Sequence, residues 1–363
     1  MLSVLGIGLV VVFVVSRVVT DRFEWSQWVW WAPAWWFVVV GWGLLAGSML
    51  VGWIGKRRGW KGRGLVLRAV LLVGCVGMVM NVAFGVRRYQ NGIGGYGIHW
   101  TRAAQDDRIR VLHWNIAAGE FDVPRAIQWI DQTNADIVLI ANPRWDGQRN
   151  ELAEGLNGIA RNQATVRRLS RAMIMSRYEI VSTSMIYLST DAEDESETTM
   201  RPTGGFGWIA LITLDRAQSP DAEPELFDVW FVDLPSEPTT HRMESMHAVV
   251  EKLHTVEPPR SPALIIGDFN TVRGSASLKK LDVFADGSGF IDAFKARGSM
   301  GGSWQPSGLT GIKGWIAEHA SWHIDLSLVN NNWSIDGYEL VAPDWMQWGN
   351  GVSHKAQVVD IER

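Results

Sequence analysis

Ala263-Leu264-Ile265-Ile266-Gly267-Asp268-Phe269-Asn270 is an apolar run that ends in a carboxylate and an amide two residues apart. At the C-terminal end of a strand these two side chains can project into one cleft. Asp268 would take a proton or orient a water there, and Asn270 would donate to phosphate oxygens. An Asx turn at a strand end would use the same residue types, so the tetrapeptide alone leaves both uses open. His241, His247 and His254 recur at spacings of six and seven on a predicted helix. That spacing stacks them only loosely, and a solvated helix face accounts for it better than a metal site.

The elements that must position such residues begin near Arg108. Short apolar, often β-branched runs at 109–114, 137–140, 172–175, 180–187, 207–214, 226–234, 263–266, 324–329 and 356–361 predict strands. Between them, 124–133, 151–158, 241–254 and 275–284 predict helices, the first opened by Pro124. This alternation is that of an α/β or α+β domain. The acidic tract 191–197 reads as a solvated loop, and Gly204-Gly205-Phe206-Gly207 as a turn.

The first third of the chain has a different character. Three apolar stretches, about 2–20, 28–54 and 65–86, each have the length of about 20 residues that a helix needs to cross a bilayer. The sequence therefore predicts an N-terminal transmembrane anchor over 1–88, a Gly-rich linker over 89–107 and a domain over 108–363. The loop 55–63 holds five basic and no acidic residues, which the positive-inside rule assigns to the cytoplasm. The expectation is then an integral protein of a bacterial-type inner or plasma membrane, partnered with lipid through three helices, its C-terminal domain extracytoplasmic. Many of the 21 Trp flank these runs, as indoles do at headgroups. Cys75 is the only cysteine, so no intramolecular disulfide can form. A net charge of −4 gives no overall basic field, so polyanion binding would need a local site.

The Gly-Asp-Phe-Asn strand end resembles that of the endonuclease/exonuclease/phosphatase family, and other segments agree in order over some 250 residues. Ile109–Ile116 is similar to the family's first strand, ending in Asn115; Ala135–Asn142 to its second core strand; and Met173–Tyr178 to its Ser-Arg strand end. Downstream, 289–294 and 302–306 are similar to segments of bacterial members, His323-Ile324-Asp325-Leu326 to the Ile-Asp strand, and Ser353–Val359 to the terminal His-containing strand. The resemblance implies a four-layer α/β sandwich of two packed, mixed or antiparallel sheets. It also implies a phosphoester hydrolase in which carboxylate-held Mg²⁺ or Mn²⁺ polarises the phosphate and an activated water attacks in line. The catalytic set it implies is Asp268, Asn270, Asp325 and His354, with Asp325 orienting His354, and Asn115 helps hold the metal. Taken singly, Asp325 could equally be a structural hydrogen-bonding group, His354 a core imidazole and Asn115 a strand cap.

The chain departs from the family pattern at three positions. Asn142 stands where the family has a metal-binding Glu, Asp233 where it has a catalytic His, and Ser353 where it has an Asp. Hard divalent cations need anionic oxygens, so Asn142 and Ser353 weaken the metal site, while Asp233 can return one carboxylate as a compensating ligand. Two functions follow: a metal-dependent phosphoesterase with an altered site, or an inactive domain kept as a membrane-tethered binding module. An outward-facing domain favours nucleic acid or lipid headgroups as the phosphate ester. A basic groove from Arg144, Arg149, Arg161, Arg167, Arg168 and Arg171 would favour nucleic acid, although a charged helix face explains the same residues. A binding module would predict an exposed apolar patch near Trp333, Trp345 and Trp348.

Overall fold

The computed structural model describes residues 2–31, 43, 46, 47, 49, 50, 52–55, 57, 108–117, 119–144, 147–160, 165–188, 207–217, 222–236, 241–254, 262–282, 289–297, 303, 323–341, 343 and 354–363. The chain divides into two compact units. One comprises Met1–Asn91 with His241–Met243 and Gly274–Ser277, the other Gly92–Thr240, Glu244–Arg273 and Leu278–Arg363.

In the first unit, α1 (Leu2–Val19) and α2 (Glu24–Trp31) are described. α1 runs into Thr20, whose φ of 56° is left-handed and stops the helix. Asp21, fully buried, accepts from the backbone N–H of Ala276 at 2.7 Å and of Ser277 at 3.2 Å. Among the described residues no helix is long and apolar enough to cross a membrane. This overturns the expected integral membrane protein with an extracytoplasmic domain. α1 is 18 residues with Arg17 near its end. The expected span 65–86 and most of 28–54 lie outside the described residues, as does the linker.

The second unit holds two six-stranded sheets. Its strands are β1 (Arg108–Asn115), β2 (Ile137–Ala141), β3 (Thr165–Arg168), β4 (Ala172–Ser176), β5 (Glu179–Leu188), β6 (Gly207–Asp215), β7 (Leu226–Asp233), β8 (Leu264–Asp268), β9 (Phe290–Asp292), β10 (Asp325–Asn330), β11 (Ser334–Val341) and β12 (Ala356–Glu362). Sheet A runs β11-β12-β1-β2-β4-β3 and sheet B runs β5-β6-β7-β8-β10-β9. Each sheet is antiparallel except at one central pair, β1 with β2 and β7 with β8. A parallel pair needs a crossover. α3 (Val123–Thr133) supplies the first and α5 (Arg242–His254) lies within the second, while α4 (Gly147–Ile159) follows β2. α3 starts where Asp122 caps the N–H of Arg125 and stops at Asn134 in a left-handed conformation.

Alternation of side chains sorts the strands into layers. On β1 and β2, Ile109, Val111, Ile137 and Leu139 face sheet B, whose Phe231, Leu264 and Ile266 meet them. The opposite face, with Leu112, Trp114, Val138 and Ile140, packs on α3 and α4. Trp230, Val232 and Ile265 on sheet B pack on Met246 and Val249 of α5. The result is the expected sandwich, helix on sheet on sheet on helix. The structure adds β3, β9 and β11, and turns the expected helix 275–284 into a 3₁₀ segment, Ser277–Asp282.

Two local features hold the centre. Arg110, 1% exposed, forks onto Asp360 at 2.7 and 2.8 Å and also reaches Thr133 O at 3.0 Å, tying β1, β12 and the end of α3 together. Gly267, at φ 150°, lies so close to β7 that a Cβ would sit 1.8 Å from Val232 O. Only glycine lets the backbone enter the site this way.

Candidate active site

The two parallel pairs end at the same edge of the sandwich, and the candidate residues sit at those ends. Asn115 closes β1, Asn142 follows β2, Asp233 closes β7 and Asp268 closes β8, while Asp325 opens antiparallel β10 and His354 precedes β12. Register places Asp233, Asp268 and Asp325 in one row, since Asp268 pairs with Asp233 on one side and Asp325 on the other. Sheet A answers this row of carboxylates with neutral or cationic donors.

Three polar pairs cross the gap between the sheets. Asn115 Nδ2 donates to Asp268 Oδ2 at 2.9 Å, and Asn142 Nδ2 donates to Asp233 Oδ2 at 3.2 Å. His354 Nδ1 lies 3.0 Å from Asp325 Oδ2, and its Nε2 lies 3.7 Å from Asp268 Oδ2. Asn142 also donates to Asn115 Oδ1 at 3.1 Å, and that oxygen accepts from Ala117 N at 3.0 Å. The strand parity of β2 would send Asn142 toward the helices. Its φ of 52°, a conformation Asn tolerates, accompanies its turn into the site instead. Asn270, also left-handed at φ 45°, gives its backbone N–H to Asp268 Oδ1 at 2.8 Å and its Nδ2 to Leu234 O at 2.7 Å. One of the two N–H groups of its amide is thus held by the backbone.

Burial raises the Asp268 carboxyl well above the ordinary 3.8, with the charge of Asp325 adding to the shift. Burial likewise pushes Asp233 up to about 6, against the Asn142 hydrogen bond and the charges of His354 and Arg171. For His354, burial favours the neutral ring, but the facing carboxylates of Asp325, Asp268 and Asp233 outweigh it and raise the ring to about 9. An imidazolium therefore stands among three acidic side chains at neutral pH, two of which bind a proton more tightly than an ordinary carboxylate. A proton acceptor beside a cationic N–H donor is the pairing that hydrolysis of a phosphate ester needs.

The matching family model carries the description Endonuclease/Exonuclease/phosphatase family and spans residues 112–344. The chain belongs to that family. The family's members are hydrolases of phosphate esters, and the sheets and helices described above are its α/β sandwich. An endonuclease/exonuclease/phosphatase protein of Bacteroides vulgatus is similar in structure at 16% identity, covering 70% of this chain and 98% of its own, with a TM-score of 0.50. A mannosyl-6-phosphatase of Bacteroides thetaiotaomicron matches at 14% identity over 70% of this chain and 100% of its own, with a TM-score of 0.49. The human Nocturnin catalytic domain matches at 13% over 74% of this chain and 98% of its own, with a TM-score of 0.48. No curated protein matches.

Of the other sequence candidates, Ser353, Arg161, Trp345 and Trp348 lie outside the described residues. Arg144 pairs with Glu120, Arg149 donates to Leu169 O at 2.6 Å and Arg168 to Asn150 at 2.9 Å. Arg171 stands apart, because its carbonyl accepts from Asn142 N at 2.9 Å and its charge acts on Asp233. Ser303, within the family-like segment 302–306 but given no role by its type, accepts at its Oγ from Ile324 N and Asp325 N at 3.1 and 3.0 Å, fixing the start of β10.

Proposed function

We propose that the chain is a divalent-metal-dependent phosphoester hydrolase whose metal site is altered from the family pattern. One observation carries this reading: Asp268 is held on three sides, by Asn115 Nδ2, by Asn270 N and by the nearby His354 ring. Held this way, one carboxylate is aimed into the cleft beside an imidazolium that Asp325 orients. In the reaction Asp268 takes a proton from the attacking water, its affinity for protons raised by burial. His354, kept charged by the carboxylates, gives an N–H to the developing charge on the phosphate oxygens. Asn115 and the Asn270 backbone keep Asp268 from rotating away.

The donor set supports a cation at a shifted position. Asp268, Asp325 and His354 offer ligand atoms within 4.8 Å of one another, all buried. With His354 charged and so without a free lone pair, the two carboxylates would hold the cation, an oxygen set that suits Mn²⁺ or Mg²⁺. Asn115, Asn142 and Asp233 would contribute from the other side only after the Asn142 amide turns its oxygen inward. A bound cation would supply Lewis-acid polarisation of the phosphate. A second reading, a phosphoesterase fold that binds without turnover, draws on that same amide. Its N–H groups already bridge Asn115 Oδ1 and Asp233 Oδ2, as a cation would.

Calorimetric titration of Mn²⁺ and Mg²⁺ into the full chain, beside hydrolysis of a nitrophenyl phosphodiester by wild type and Asp268→Ala, separates the two. Millimolar or tighter binding, with turnover at least roughly a hundredfold lower in the variant, supports the enzyme. Absence of both binding and Asp268-dependent turnover refutes it and leaves the binding module.

A further inference from the structure

Three polar pairs of the site join sheet A to sheet B, and this sets a mechanical problem. Strands within a sheet are locked in register by their ladders, but two sheets packed face to face meet mainly through apolar side chains, which are not directional. The Asp325–His354 pair, one member from each sheet's strands, depends on alignment that the core does not fix.

A second polar tier lies directly beneath the pair. Ser327 follows Asp325 by two residues on β10 and so shares its face, as His113 does with Asn115 on β1. Between them stands Gln357 of β12, the register partner of His113. All three are fully buried, and Tyr338 is 1% exposed. Gln357 Oε1 accepts from Ser327 Oγ at 2.9 Å and from Tyr338 OH at 3.0 Å. Its Nε2 donates to His113 Nδ1 at 2.9 Å and to Leu326 O at 3.4 Å. Leu326 O can only accept, so the nitrogen end of the amide must face it. His113 Nδ1 is then an acceptor, and the ring's proton lies on Nε2. The bonds to Ser327 and Leu326 cross from sheet A to sheet B one residue pair below the catalytic pair.

We propose that Gln357 is a positioning residue that pins sheet A to sheet B beneath the Asp325–His354 pair, with His113 and Tyr338 holding its amide in place. The activity consequence rests on the hydrolase reading above; the alignment itself does not. Loss of the pin lets the imidazole drift from its carboxylate and from Asp268, without touching groups that would bind substrate.

The test uses the full chain with Gln357→Met, which keeps the volume and removes all four bonds, and Ser327→Ala, which removes one inter-sheet bond with almost no change in packing. Two quantities are read: kcat and KM for the nitrophenyl phosphodiester, and the His354 Nδ1–H proton resonance with the His113 ring ¹⁵N shifts. For Gln357→Met, kcat falls at least roughly tenfold while KM stays within about twofold, as for loss of a supporting hydrogen bond around a site. The His354 resonance moves in both variants, and wild-type His113 has its proton on Nε2. A purely packing role predicts wild-type kcat and an unmoved resonance in Gln357→Met, and would overturn the proposal. If wild type itself shows no turnover, the hydrolase reading fails and the resonance decides alone: moved, the pin stands; unmoved, it falls. If Gln357→Met does not fold, Ser327→Ala decides by the same two readouts.

Discussion

Replacing Asp233 with Asn removes a charge from the row of carboxylates while leaving an oxygen to accept from Asn142. The structure sets the size of the effect. Burial, with a contribution from Asp325, holds the Asp233 carboxyl at about 6 against an ordinary 3.8. At about 1.4 kcal/mol for each tenfold change in acidity, ionising it in the folded chain costs about 3 kcal/mol relative to the unfolded one. The sign follows from the direction: a carboxyl raised on folding favours the folded state below 3.8, and that contribution is lost as pH rises through about 6. Asp233 is also one of three carboxylates that keep His354 charged, so its removal gives back part of the gain. Without divalent cations, Asp233→Asn is therefore expected to stabilise the chain by about 1–3 kcal/mol at pH 7.5 and by nearly nothing near pH 4. Urea unfolding of both proteins at pH 4, 5, 6 and 7.5 measures this. A variant less stable than wild type at pH 7.5, or a difference independent of pH, refutes the argument. Millimolar Mn²⁺ is expected to narrow the gap, because a cation compensates the wild-type carboxylate and not the amide.

His354 held at about 9 places the alkaline limb of the pH–rate profile near that value, since turnover needs the imidazolium. A limb near the ordinary 6.5 of a histidine would mean that the carboxylates do not hold its proton. Asp360→Ala leaves Arg110 buried without its carboxylate and is expected to lower stability by about 3–5 kcal/mol in urea melts. Adding Arg110→Met should restore most of it, and failure to do so would mean the fork is not the cause.

Much of the catalytic end was legible because the strands that deliver it announce themselves. Ile137–Ile140 and Ala263–Ile266 are continuous apolar runs, as strands buried on both faces must be, Ile109–Trp114 is apolar except at Arg110 and His113, and each is followed within two residues by a polar side chain. β3, β9 and β11 escaped because they lie toward the sheet edges. Thr165-Val166-Arg167-Arg168 is mostly exposed, and β9 spans three residues, too short for a period. The apolar N-terminal runs read as membrane spans on length and hydropathy alone. Among the described residues no helix is long and apolar enough to cross a membrane.

By itself, then, the sequence determined the sandwich and the residues at its strand ends: apolar periodicity dictates which face is buried, and Gly-Asp-Phe-Asn marks where the chain turns into the cleft. Tertiary structure alone decided how those residues meet. That Asn142 offers its nitrogen to Asp233 and that Gln357 pins the sheets beneath His354 both depend on contacts across the gap. Such contacts join residues up to 153 positions apart, as in Asn115 and Asp268, and the packing angle between two sheets has no signature along either strand.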